Sequence, residues 1–132
     1  MTSSFSAVGY GNEEKIYDES HWTDPSQNIG AYNKSKAIAE KEMWSYLNSL
    51  SDDEKIEAVA INPTLVIGPS LSDDVGTSNV FIQRMLDGSY PVVPKVHFGW
   101  VTVKDTARAH VEAMIHPDAV SYTHLRAHET TP

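Results

Sequence analysis

The stretch EAVAINPTLVIGPS, residues 57–70, decides the fold. It is an apolar run closed by Asn62-Pro63, then a second one closed by Gly68-Pro69. A strand with one wet face alternates polar and apolar side chains, whereas a strand covered on both faces does not. The run therefore reads as a parallel strand in a covered sheet. Simple strand termination is an equally available role for the prolines, because proline cannot donate to a ladder.

Parallel strands need long crossovers, and the flanking sequence supplies them. Upstream, IGAYNKSKAIAEKEMW, residues 29–44, opens a helical pattern that runs to about Leu50, with Asn28 as the expected N-cap. Stepping about 100° per residue from Tyr32 gathers Lys36, Ala39, Met43, Tyr46, Leu47 and Leu50 on one stripe, with Lys34, Lys41, Ser45 and Asn48 opposite. Downstream, Thr77 or Ser78 is the expected cap of a helix NVFIQRMLDG ended by Gly88. YPVVPKV reads as extended, HFGWVTV as a strand, and KDTARAHVEAMIHP as a helix with Val103, Ala107, Val111 and Met114 on one face. Residues 1–28, rich in Ser, Gly, Asn, Asp and Pro, read as loop with at most a strand remnant at the beginning. Loop, helix, strand, helix, strand, helix is an α/β order.

The chain has 132 residues, enough for one domain, and 18 acidic against 10 basic side chains give a net charge of -8. That field repels phosphate backbones and anionic lipid, so neither nucleic acid nor membrane is an expected partner. Without cysteine there is no disulfide framework and no thiolate chemistry. No run approaches the roughly 20 apolar residues of a membrane span, and the N-terminus lacks the pattern of a signal peptide. A cytoplasmic location is expected.

The stripe places a lysine among apolar side chains, four residues after a tyrosine. Residues at i and i+4 share a helix face. A free phenol titrates near about 10 and yields its proton reluctantly at neutrality; an ammonium nearby favours the phenolate. Tyr32 and Lys36 can thus protonate a carbonyl oxygen as hydride arrives. A boundary tyrosine beside a lysine that snorkels along its own stem is the structural alternative.

Four stretches in order, TSSFSAVGYG (residues 2–11), YDESHWTD (17–24), AYNKSKAIAEKEMW (31–44) and INPTLVIGPS (61–70), resemble the extended short-chain dehydrogenase/reductase family, and HFGWVTVKDTARAHVEAM (97–114) fits its later strand and helix. Within that family the wording resembles the dihydroflavonol reductase, cinnamoyl-CoA reductase and methylglyoxal reductase branch. The resemblance implies the C-terminal part of a Rossmann-type doubly wound parallel sheet with part of a small substrate domain. It also implies an NAD or NADP cofactor and a small carbonyl substrate. By matching position, Ser4 would hydrogen-bond the carbonyl oxygen, Tyr32 would donate the proton, and Lys36 would bind the nicotinamide ribose. Pro63, Thr64, Leu65 and Val66 would line the nicotinamide, with Ser78 reaching the cofactor; Ser3 and Ser6 are the rivals to Ser4.

The family's pyrophosphate turn is not matched: Gly9-Tyr10-Gly11 has Glu14 where a third glycine belongs. The first half of the fold is therefore expected to be missing, with helices left partly uncovered and negligible catalysis from these residues alone. Two alternatives stay open, a nucleotide-sugar epimerase or dehydratase of the same fold and a non-catalytic binding or scaffold domain. Tyr10, Met85 and residues 90–100 are possible pocket walls. His97, His110 and His116 fall on separate elements, so no metal site is expected. The last segment, SYTHLRAHETTP, resembles translated sequencing-adapter read-through. The expected domain is residues 1–118, with 119–132 a non-native tail whose His124 and His128 carry no metal reading.

Overall fold

A computed structural model describes residues 1–11, 16–18, 20–92, 95 and 97–120, apart from the side chains of Asp118 and Val120. The expected tail from Ser121 lies outside the described residues, as do parts of the early loop and of residues 90–96. The elements are a 3-10 turn at Phe5–Ala7, α1 at Ala31–Ser49, β1 at Leu65–Ile67, α2 at Gly76–Leu86, β2 at Trp100–Thr102, α3 at Val103–Ile115 and a 3-10 turn at Pro117–Val120.

All the strand pairing among the described residues is parallel. At the N-terminus Thr2 bridges Ile61. Ile61 donates its N–H to the Met1 carbonyl at 2.9 Å, Ser3 donates to Ile61 at 2.8 Å, and Phe5 donates to Pro63 at 3.0 Å. Further along the same segment, Leu65, Val66 and Ile67 pair with Trp100, Val101 and Thr102. Residues 59–67 are thus the central strand read from the apolar run, bent at Pro63 and Thr64. The crossovers run through α1 and α2, as parallel pairing demands. Ala7, Val8, Ile29, Ala37, Ala60, Ile61, Val101 and Ala119 form the buried apolar core.

The helices differ from expectation in their ends and in the faces they bury. α1 starts after Gly30, whose φ of 81° suits glycine, and Asn28 makes no cap. The helix ends at Ser49, with Leu50 already extended. α2 begins at Gly76, before Thr77 and Ser78, with no side-chain cap. α1 buries Ala37 and Glu40 against the Phe5–Ala7 turn, whereas Tyr32 is 62% exposed and Tyr46 64%; Ala39 is exposed too. Of the expected stripe, Lys36, Met43, Leu47 and Leu50 are partly covered, but the inward face is rotated so that Ala37 and the hydrogen-bonded Glu40 lie at its centre. On α3 the partly covered residues are Thr106, Ala109, His110 and Ala113; of the expected face, Ala107, Val111 and Met114 are exposed, while Val103, 38% exposed, packs on Gly68. Here too a polar tie lies on the covered face: His110 bonds the Thr2 hydroxyl through Nε2 at 2.6 Å and the Thr106 carbonyl through Nδ1 at 2.8 Å. A carbonyl only accepts, so Nδ1 carries the proton. Among the described residues the sheet has two paired strands and one isolated bridge, and apolar side chains such as Met114, 83% exposed, stay in solvent.

Candidate active site

Tyr32 and Lys36 rise from the first turns of α1. The Lys36 Nζ lies 5.9 Å from the centroid of the Tyr32 ring, within reach of a cation–π contact. Lys36 is partly buried, and the Tyr32 hydroxyl has no partner among the described residues. Ser4 sits at the end of the N-terminal strand segment, nearly buried, as the N-cap of the Phe5–Ala7 turn. Its Oγ accepts the Ser6 N–H at 3.2 Å, and its own hydroxyl proton has no acceptor among the described residues. Ser3, by contrast, spends its hydroxyl on the Glu40 carboxylate, and Ser6 contributes its amide to Ser4. Of the three serines, Ser3 is the one whose hydroxyl is spent inside the fold, and Ser4 is the nearly buried one that keeps a donor to offer.

Of the residues expected at a cofactor, Val66 and Ser78 line a shallow hollow of about 330 Å³. Gly68, Pro69, Asp74, Asn79 and Val103 line it as well. Pro63, Thr64 and Leu65 are not in its lining; Pro63 is engaged through its carbonyl with Phe5, and Leu65 through its N–H with Gly99 at 3.2 Å. Tyr32, Lys36 and Ser4 are outside that hollow too. Its rim is held by Asn79, whose side-chain amide both donates to the Gly68 carbonyl at 2.8 Å and accepts the Gly68 N–H at 3.2 Å. Neither this clamp nor Glu40 was singled out from the sequence. The available signal was a carboxylate four residues after Lys36, on the same helix face.

The loop before α1 is tied down locally. Tyr10 donates its N–H to the Thr23 Oγ1 at 2.9 Å, so Gly9-Tyr10-Gly11 is part of a loop and not of a strand-to-helix turn. Trp22 faces the Lys41 ammonium at 5.4 Å. Asp18 accepts from the Ser20 Oγ at 2.6 Å and the Ser20 N–H at 2.9 Å, with His21 Nδ1 at 2.7 Å. These bonds, the Ser20 hydroxyl foremost, hold its carboxyl below the ordinary 3.8, at about 2. A lowered value means that the knot is intact above the ordinary value and lost as pH falls through the lowered one. The Ser20 amide resonance should accordingly titrate with a midpoint at about 2 in an NMR pH series. Farther along, Phe81 of α2 sits 5.8 Å from Tyr90, 5.5 Å from Phe98 and 6.2 Å from Trp100, ring to ring. Among the described residues no three His, Cys, Asp or Glu side chains are grouped to hold a metal, and no helix is long and apolar enough to cross a membrane.

The sequence profile of the NAD dependent epimerase/dehydratase family matches residues 1–126. The chain belongs to that family. Among curated members, it is 36% identical over 121 residues to cinnamoyl-CoA reductase CAD2 of Medicago truncatula, covering 86% of this chain and 35% of that protein. It is 30% identical over 129 residues to the NADPH-dependent methylglyoxal reductase GRE2 of Saccharomyces cerevisiae, covering 86% and 38%. The chain thus spans little more than a third of these relatives' length. Among solved family structures, the Candida albicans Gre2 complex with NADPH superposes with a TM-score of 0.69 at 28% identity, over 89% of this chain and 39% of that one. The similarity joins the parallel strand segments and the helices around them into a recognisable part of the epimerase/dehydratase fold.

Proposed function

We propose that this chain supplies the proton-transfer half of an NAD(P)-dependent reductase acting on small aldehydes or ketones. The observation that carries the reading is the Lys36 ammonium beside the exposed Tyr32 ring on α1, with the free Ser4 donor on a turn packed against the same helix. The cinnamoyl-CoA and methylglyoxal reductases among the relatives favour a carbonyl substrate over a nucleotide sugar.

The residues present fit one end of a nicotinamide dinucleotide. Lys36 offers an ammonium to ribose hydroxyls, and the hollow lined by Val66 and Ser78 offers an apolar wall with a hydroxyl on its rim. A nicotinamide dinucleotide held by Lys36 would bring hydride-transfer chemistry to the carbonyl carbon. Ser4 donates a hydrogen bond to the carbonyl oxygen and orients it. Tyr32 gives its phenolic proton to that oxygen as negative charge develops, which completes the alcohol. Lys36 stabilises the phenolate that is left, by Coulomb attraction at short range. A cradle for the pyrophosphate has no counterpart in the loop around Gly9 and Gly11, so the chain alone turns over negligibly. Activity requires it in one polypeptide with a glycine-rich, dinucleotide-binding segment.

In such a protein, Lys36→Met should lower kcat for methylglyoxal or an aromatic aldehyde by about 100-fold, the usual worth of assistance to an acid/base group. KM for the cofactor should rise with it. NADPH oxidation followed by absorbance decides the matter. Unchanged rates would remove Lys36 from the mechanism. Turnover of a UDP-sugar without added reductant would instead place the protein with the epimerases.

A further inference from the structure

Glu40 is a charged side chain with 0% exposure, an expensive place for a carboxylate unless donors surround it. Donors are present. Ser3 Oγ and Asn62 Nδ2, the latter at 2.8 Å, bond its Oε2, and Trp44 Nε1 at 3.3 Å bonds its Oε1. Asn62 Nδ2 also donates to the Ser4 carbonyl at 3.1 Å. Both of its partners are acceptors there, so the amide cannot be reversed. The price of this orientation is that Asn62 Oδ1 is buried without a partner among the described residues.

The donors come from segments that each carry part of the proposed machinery. Ser3 precedes Ser4, Asn62 precedes Pro63, and Glu40 follows Lys36 by four residues, as Lys36 follows Tyr32. Positions four apart lie one above another on a helix. A buried ionic group is weak evidence for stability, since apolar packing serves that end as well, and its better-attested use is to specify one arrangement.

We infer that Glu40 is a positioning residue: its carboxylate fastens the Ser4 turn and the Pro63 end of the central strand to the helix that carries Tyr32 and Lys36. It thereby sets the register of the serine hydroxyl against the phenol. The inference rests on the reductase reading for its purpose but not for its geometry, and the test separates the two.

In the 132-residue chain, Glu40→Gln turns an NH2 group toward hydroxyl and amide donors while keeping the shape. Amide hydrogen exchange at Ser3, Phe5 and Ser6 should then speed up about tenfold, while the amides of α1 beyond Trp44 keep their rates. Ser3→Ala should loosen the same amides by less, and the double variant should show no more than Glu40→Gln alone. Should Glu40→Gln not fold, Ser3→Ala carries the comparison. In the catalytically complete protein, Glu40→Gln should lower kcat about tenfold and change KM for the carbonyl less than about threefold. Unchanged exchange at the three amides, faster exchange all along α1, or loosened amides with unchanged kcat would each overturn the inference. Selective loosening in a protein whose parent reduces no carbonyl would sink the reductase reading and leave the fastening in place.

Discussion

In a polypeptide that joins this chain to a dinucleotide-binding segment, and on the proposed reductase reading, Tyr32→Phe should cost roughly 1,000-fold in kcat while leaving cofactor affinity and folding stability nearly unchanged, because general acid catalysis by a positioned side chain contributes about 100- to 10,000-fold. The substitution removes one oxygen. The ring that faces the Lys36 ammonium stays, so the contact at 5.9 Å persists. The hydroxyl bonds no described residue, and the side chain is 62% exposed, so the fold loses little; surface changes of this kind stay within about 0.5 kcal/mol. A scaffold in which Tyr32 is a boundary aromatic would be indifferent to the change. Comparing kcat, cofactor Kd and Tm for the two proteins separates the cases, and an unaltered kcat would dispose of Tyr32 as the proton donor. Because the substitution spares Lys36, a large loss cannot be assigned to missing ribose contacts.

Gly68→Ala should unfold the chain at a much lower temperature. Gly68 ends β1 with φ at 144°, a conformation that side-chain-bearing residues rarely adopt. A Cβ built there falls 2.7 Å from Val103 Cγ1 and 3.5 Å from its Cβ. Backbone strain of about 1–3 kcal/mol and overpacking of about 1–3 kcal/mol then act together. A combined loss of about 3 kcal/mol is a large share of the stability of a small domain, typically about 5–15 kcal/mol. At roughly 4–8 °C per kcal/mol the transition should fall by about 12–24 °C. The displacement of Val103 or Gly68 would also break the paired bonds to Asn79 that hold the rim of the hollow. Thermal unfolding followed by circular dichroism measures the shift, and a Tm within a few degrees of the parent would mean that the junction of β1 and α3 yields easily.

Much of the arrangement was legible in the chain's own pattern. The unalternating run at residues 57–70 announced a central parallel strand, and the helical period at residues 29–50 announced α1, because both signals come from local chemistry. Tyr32 and Lys36 were likewise legible as a pair: a spacing of four sets them on one face wherever the helix forms. Which face turns inward was not legible. A search for apolar stripes selects Tyr32, Lys36, Ala39, Met43, Tyr46, Leu47 and Leu50, of which Lys36, Met43, Leu47 and Leu50 are partly covered, whereas the residues α1 buries fully are Ala37 and Glu40. Likewise α3 turns Thr106 and His110 inward and leaves Val111 and Met114 in solvent.

The amino-acid order by itself determined the element types, the parallel topology and the tyrosine–lysine spacing, since each depends on neighbours a few residues apart. Only the tertiary structure decided that Ser3 spends its hydroxyl on Glu40 while Ser4 does not, which side of each helix is covered, and that Val66 and Ser78 share a hollow while Pro63 does not. Those outcomes depend on hydrogen bonds between residues as distant as Ser3 and Glu40, Asn62 and Ser4, or Thr2 and His110. A buried polar bond is worth its full strength only when both partners arrive together, and no local pattern records where a distant partner will be.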